Sequence, residues 1–91
     1  MTYTQNRRDA SEAQFVALWV AAGAHWQPMD RFAGFDGLLI FRGRIFVVEI
    51  KNSEHYRLTD AERETKDIME RCGAEYHIIW SLEQAQELVE G

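Results

Sequence analysis

Cysteine is nearly missing from this chain. Cys72 stands alone, which excludes an internal disulfide and fits a reducing cytoplasm. Proline is as scarce. Its single instance, Pro28, marks an edge strand or a strand end, because proline cannot donate to a sheet ladder. The longest apolar run, Phe15 to Ala24, is too short to cross a membrane and lacks signal-peptide architecture. Internal repeats, linkers and low-complexity segments are absent. So is an excess of positive charge: 15 acidic residues oppose 10 basic ones, a net charge of −5. General nucleic-acid binders are usually basic, so any nucleic-acid chemistry here has to come from basic residues clustered at a local site.

What is present suits a globular protein. Hydrophobic residues make up 46% and charged residues 27%, which sets aside intrinsic disorder. The 91 residues predict one domain over 1–91 with a modest core, a size at which oligomerisation often adds stability. Met1 to Arg8 is polar and expected to fray. Arg7 and Arg8 are either a solvated start or a contact to a phosphate backbone.

The stretch around which the rest is organised is Gly34 to Lys51, GFDGLLIFRGRIFVVEIK. Two runs rich in branched and aromatic residues flank Arg42-Gly43, the pattern of a β-hairpin. With a two-residue loop, Phe41 faces Arg44 and Ile40 faces Ile45. Counting outward puts Asp36 opposite Glu49. Cross-strand partners share a face with Cβ atoms about 5 Å apart, and Lys51, two residues beyond Glu49, projects from that face as well. A three-residue loop would move Asp36 to the other face and dissolve the cluster.

Two carboxylates at about 5 Å repel by roughly 3 kcal/mol at an effective dielectric near 20. A proton, the Lys51 ammonium or a divalent cation must offset that. Carboxylate oxygens beside a backbone carbonyl form a hard-cation site suited to Mg²⁺ or Mn²⁺. A lysine next to such a site is an electrostatic partner for phosphoryl chemistry.

The flanking segments read as follows. Asp9 to about Ala22 is a helix by the spacing of Phe15, Leu18, Trp19 and Ala22. Asp9 is its expected N-cap, Glu12 completes a capping box, and Gly23 ends it. Glu12 also aligns with Phe15 and Trp19, which directs its carboxylate toward the sheet. It either caps only or adds an acid near the hairpin cluster. Ala24 to Arg31 holds a short strand around Trp26, and Arg31, Phe32 and Gly34 form the approach to Asp36. After Lys51 a polar loop leaves the end of the strand. In it Tyr56 and Arg57 suit stacking and phosphate contact. A second helix opens at Thr59, boxed by Glu62, with Ala61, Thr65, Ile68, Met69 and Cys72 as a buried stripe and Gly73 as its end. Glu62 either reaches the acidic cluster or caps the helix and pairs with Lys66 at i, i+4. Lys66 is a secondary candidate for backbone contact. Ala74 to Trp80 is a strand, and Ser81 with Gln84 opens a last helix. His25, His55 and His77 read as structural or solvated residues, and Cys72 as a small apolar one rather than a nucleophile.

Asp36, with Glu49-Ile50-Lys51 on the next strand, resembles the PD-(D/E)XK nuclease signature. The surroundings narrow this to the virus-type replication-repair nucleases, the VRR-NUC domains: a polar loop, Leu58-Thr59 opening a helix, Gly73-Ala74, and a strand ending Trp80-Ser81-Leu82-Glu83. The resemblance runs from Glu12 onward. It departs at Phe35, where the family often has proline, and at Glu62, where glutamine is common. It implies a restriction-endonuclease-like α/β fold, an αβββαβα core with a small mixed sheet flanked by helices. It implies a Mg²⁺- or Mn²⁺-dependent deoxyribonuclease for branched or flapped DNA, Holliday junctions included. Such an enzyme acts as a homodimer in DNA repair, in a bacterium or a phage-infected host cell, with no organic cofactor and no membrane attachment. Asp36, Glu49 and the Ile50 carbonyl are the expected ligands of one or two ions. Lys51 is the expected electrostatic partner, with Glu12 a further acid on the first helix. Arg31, Tyr56, Arg57 and Lys66 are expected DNA contacts. The net acidity favours an alternative, a non-catalytic nucleic-acid-binding or assembly module retaining a nuclease fold, which the intact Asp36, Glu49 and Lys51 set disfavours; a third reading is an ordinary salt-bridged surface cluster on a small α/β domain.

Overall fold

Chain order and pairing follow the hydrophobic pattern. The computed structural model describes residues 3–90, with side chains for residues 11–90. The elements are α1 (Tyr3–Ala21), β1 (His25–Pro28), β2 (Gly37–Phe41), β3 (Arg44–Ile50), α2 (Asp60–Arg71), β4 (Glu75–Ile79) and α3 (Leu82–Leu88). The strands form one sheet in the order β1-β2-β3-β4. β1, β2 and β3 are antiparallel neighbours, and β4 runs parallel to β3. This mixed sheet arises because a tight turn joins β2 to β3, whereas β4 returns through a helical crossover. Pro28 lies on the edge strand β1, where its missing N–H costs no ladder bond.

The β2–β3 register is the expected one. Phe41 faces Arg44, Ile40 faces Ile45, and Gly37 faces Val48. Arg42 and Gly43 make the two-residue loop with φ of 52° and 80°. Positive φ at both central residues matches the right-handed twist of the paired strands. Gly43 adopts it without strain, while Arg42 does so at a cost.

The register sorts side chains onto two faces. Leu39, Phe41, Phe46, Val48, Ile50 and Ile79 join Phe15 and Trp19 of α1 and Ala85 of α3 in the core. Trp19 is fully buried, packs on Phe15 and Trp26, and donates its indole N–H to the Ala85 carbonyl at 2.8 Å. One residue thus ties α1, β1 and α3 together. The opposite face carries Val47 and Tyr76, with α2 beside β4.

Two expectations about helices are corrected. Asp9 is not the N-cap of the first helix, because α1 begins upstream at Tyr3. No glycine or proline precedes Gly23, and once a helix is nucleated each added residue gains a hydrogen bond, so the polar start propagates it backward. The side chains of Arg7 and Arg8 lie outside the described residues. The α2 stripe is not buried either: no α2 residue is buried, Ile68 is 47% exposed, and Cys72 is exposed. Most α2 positions are charged, which leaves too narrow an apolar strip to sink into the sheet. Thr59 does cap α2 with Glu62 in a capping box, and Ser81 with Gln84 does the same for α3. α1 and α2 close through Gly23 and Gly73 with paired terminal bonds, Ala24 N to Trp19 O and Ala74 N to Met69 O.

Candidate active site

Asp36 immediately precedes β2 and Glu49 lies one residue from the end of β3; both line one cleft, and they are near enough for the Asp36 charge to act on Glu49. The Asp36 N–H donates to the carbonyl of Val48 at 3.0 Å, the residue that Gly37 also faces, so Asp36 is tied to β3 at the point where the regular ladder ends. The Asp36 carboxylate is held from below: its Oδ2 accepts the Ile50 N–H at 2.7 Å. A strand residue presents its N–H and C=O to the same edge, so the Ile50 carbonyl faces the Asp36 side too. Glu49 is 1% exposed, a charged side chain buried as deeply as the apolar core.

Lys51 reaches both Glu49 and α2. Its Nζ lies 3.5 Å from Glu49 Oε2 and 2.8 Å from Glu62 Oε1. The same Glu62 oxygen accepts the Thr59 N–H at 2.9 Å. The first turn of α2 is therefore fastened to the strand that carries Glu49 and Lys51. This settles the two readings of Glu62: it caps its helix and also reaches the acidic cluster. Its expected partner Lys66 pairs with Glu70 instead, at 2.9 Å.

Electrostatics follow from this crowding. Burial, the Asp36 charge, and the charge of and hydrogen bond to Glu62 push the Glu49 carboxyl up to about 8, and Lys51 only partly opposes them. Glu62 behaves oppositely. Burial alone would raise it, yet hydrogen bonds from Lys51 and Thr59 hold it below the usual carboxylate range. The repulsion anticipated between the acids thus favours a proton on Glu49, and the Lys51 ammonium opposes it only in part.

These groups open onto a cleft of about 580 Å³, lined by Asp36, Glu49 and Glu62 and also by Glu12, Arg31 and Thr59. Glu12 thus faces the cleft rather than serving as a cap. The other expected contacts scatter. Tyr56 is half-buried and packs on Trp80 with ring centroids 5.6 Å apart. Arg57 is exposed. His55 and His25 are exposed, and His77 packs edge-on against Phe46. Sequence reasoning passed over Asp30. It lines the cleft and its Oδ1 accepts the Phe32 N–H at 2.9 Å. An aspartate two residues ahead of that amide is an Asx-turn pattern that could have flagged it.

Among the described residues, no group of three or more His, Cys, Asp and Glu side chains is arranged to hold a metal ion. The acids at the hairpin end are a pair. A pair is what Mg²⁺ commonly takes from a protein, the remaining positions going to water and substrate phosphate.

A four-stranded mixed sheet with this helix order defines an α/β domain of the restriction-endonuclease-like class. Comparison with solved structures finds one described as a VRR_NUC domain, with TM-score 0.78 and 20% sequence identity, matching over 91% of this chain and 94% of that one. The chain has the VRR_NUC fold. No protein-family model matches the sequence, and comparison with curated proteins finds no match. No helix among the described residues is long and apolar enough to cross a membrane.

Proposed function

We propose that this protein is a divalent-metal-dependent DNA endonuclease that hydrolyses phosphodiester bonds in branched or flapped DNA. One observation carries the reading: Asp36 and Glu49 line one cleft at the end of the hairpin, Asp36 tied to the Ile50 N–H and Glu49 3.5 Å from the Lys51 ammonium. Fold likeness alone would not suffice, because one fold hosts many activities.

Asp36, Glu49 and the Ile50 carbonyl would hold the ion, Mg²⁺ or Mn²⁺. When bound, such an ion polarises a phosphodiester and lowers the pKa of a coordinated water. The chain's own groups do the rest. The Ile50 N–H fixes the rotamer of Asp36. Glu49 would serve as a ligand in its deprotonated form. Glu62 holds Lys51 at 2.8 Å, so the ammonium is already aimed when negative charge develops on the phosphate oxygens. Arg31 at the cleft wall supplies a second cation for the backbone. Arg57 and Lys66 are outlying contacts. Glu12 is a further acid lining the cleft.

The decisive test incubates wild type and Asp36→Ala with labelled duplex, flap, single-stranded and four-way-junction DNA, with and without Mn²⁺. Metal-dependent cutting of branched DNA by wild type alone is the expected result. Absence of cutting on every substrate would leave the non-catalytic module, which the net charge of −5 favours. Cutting a four-way junction on two strands needs two active sites, so the form proposed for it is a homodimer. Light scattering that shows only monomers would restrict the substrate to flaps or single strands.

A further inference from the structure

The loop beside the cleft carries a side chain that packing does not explain. Phe32 is 83% exposed, whereas Phe15, Phe41 and Phe46 are buried. The loop that bears it is held on several sides. The Phe32 N–H donates to Asp30 Oδ1 at 2.9 Å, and Ala33 N–H donates to the Asp30 carbonyl at 3.1 Å. Met29 N–H donates to the Asp36 carbonyl at 2.9 Å. Gly34, at φ +87°, lies so close to Thr65 of α2 that a Cβ there would collide with the threonine side chain. The ring is therefore presented to solvent by a fixed turn. Its neighbours Asp30, Arg31, Gly34 and Phe35 line the cleft that also holds Asp36. The Arg31 guanidinium lies 5.0 Å from the centre of the Phe32 ring.

We propose that Phe32 is a base-stacking residue, which takes an unpaired nucleobase on its open face while Arg31 pairs with the adjoining phosphate. This rests on the nuclease reading and narrows its substrate to DNA with an unstacked base near the cut. The chemistry is complementary: a flat apolar ring with a cation beside it matches a base with its phosphate. Stacking of this kind tolerates any sequence, since every base has a π-face. A fully paired duplex hides those faces, so the contact selects for flaps, junction points and single strands. Four peptide steps separate Phe32 from Asp36, a reach of at most about 14 Å. The base on Phe32 is therefore held near the scissile phosphate.

The test uses the full chain with Ca²⁺ in place of Mg²⁺. DNA carries 2-aminopurine at successive positions of a flap or of a matched duplex. Wild type is expected to quench 2-aminopurine at an unpaired position. Phe32→Ala is expected to lose that quenching and to bind flap DNA about tenfold more weakly, with paired-duplex affinity unchanged. Phe32→Trp is expected to restore both. Equal weakening on the two DNAs, no weakening, or a wild type that binds neither would overturn the proposal. So would a change in oligomeric state in Phe32→Ala, which would assign the ring to contact with a second copy of the chain. The two readings separate cleanly. A wild type that quenches 2-aminopurine but cuts nothing with Mg²⁺ or Mn²⁺ sinks the nuclease and keeps the stacking surface. A wild type that cuts, with Phe32→Ala binding and cutting both DNAs as it does, sinks the stacking surface and keeps the nuclease.

Discussion

Glu49 and Glu62 are both glutamates near Lys51, yet their surroundings push them in opposite directions. Glu49 is enclosed among apolar neighbours and like charges, and its carboxyl rises from the ordinary 4.5 to about 8. Between those two values the folded chain keeps a proton that the unfolded chain releases. Stability of the metal-free protein should therefore fall as pH rises from about 4.5 to about 8. Urea midpoints measured in chelator across that range check this, and Glu49→Gln should flatten the dependence. The same proton competes with a cation. Thermal stabilisation by Mg²⁺ should then be weak below pH 8 and grow above it.

Glu62 makes a different prediction. One of its oxygens accepts from both Thr59 N and Lys51 Nζ, and the glutamine side chain offers an oxygen in the same place. Glu62→Gln should stay within about 0.5 kcal/mol of the parent in stability and keep most of its cleavage rate. Glu62→Ala loses the box, at about 1 kcal/mol, and releases Lys51, which should slow cleavage. Denaturation and turnover measured on the two variants separate capping from the hold on the lysine. The residue pattern showed the cap, because a capping box is a local spacing. It did not show the Lys51 contact, because that joins residues on two elements whose separation in space no local pattern encodes.

At the scale of elements, the hairpin matters most, and its loop is not optimal. Arg42 sits at φ 52°, where an ordinary L-residue loses about 1–2 kcal/mol. Its guanidinium lies 4.9 Å from the centre of the Phe41 ring, an exposed contact that contributes only about 0.5–1 kcal/mol. The backbone term is the larger. Arg42→Asn, which keeps the Asn-Gly preference of this turn type, should raise stability by about 0.5–1 kcal/mol in thermal denaturation. The turn was readable because Gly43 follows Arg42 between two runs that pair in register. Element α2 was misread for the converse reason. Ile68, Met69 and Cys72 recur at helical spacing, but spacing shows only which residues share a face. How deep that face sinks depends on the neighbouring element, and α2 stays largely exposed.

At the scale of the whole molecule, charge is the issue. With a net charge of −5, affinity for DNA must rest on a few cations not already committed. Arg44 is committed: its Nη2 lies 2.7 Å from Glu75 Oε1. Arg57 is exposed and stands on the loop that leaves the end of β3. Arg57→Ala should reduce the slope of log K against log salt by about 1. Arg44→Ala should leave the slope as it is. Binding titrations of flap DNA at several salt concentrations distinguish the two.

Order along the chain was enough to determine the hairpin that carries the two acids to one end of the sheet. Side-chain direction alternates strictly with position in a strand, and a two-residue turn leaves one register, which the ladder follows from Phe41 and Arg44 to Gly37 and Val48. Other features required the folded molecule: the 1% exposure of Glu49, the lysine held from α2, the glutamate of α1 on the cleft wall, and the phenylalanine left in water. Each depends on the distance and packing between elements far apart in the chain, and on the dielectric those neighbours create. Neither quantity has a period that can be read along a sequence.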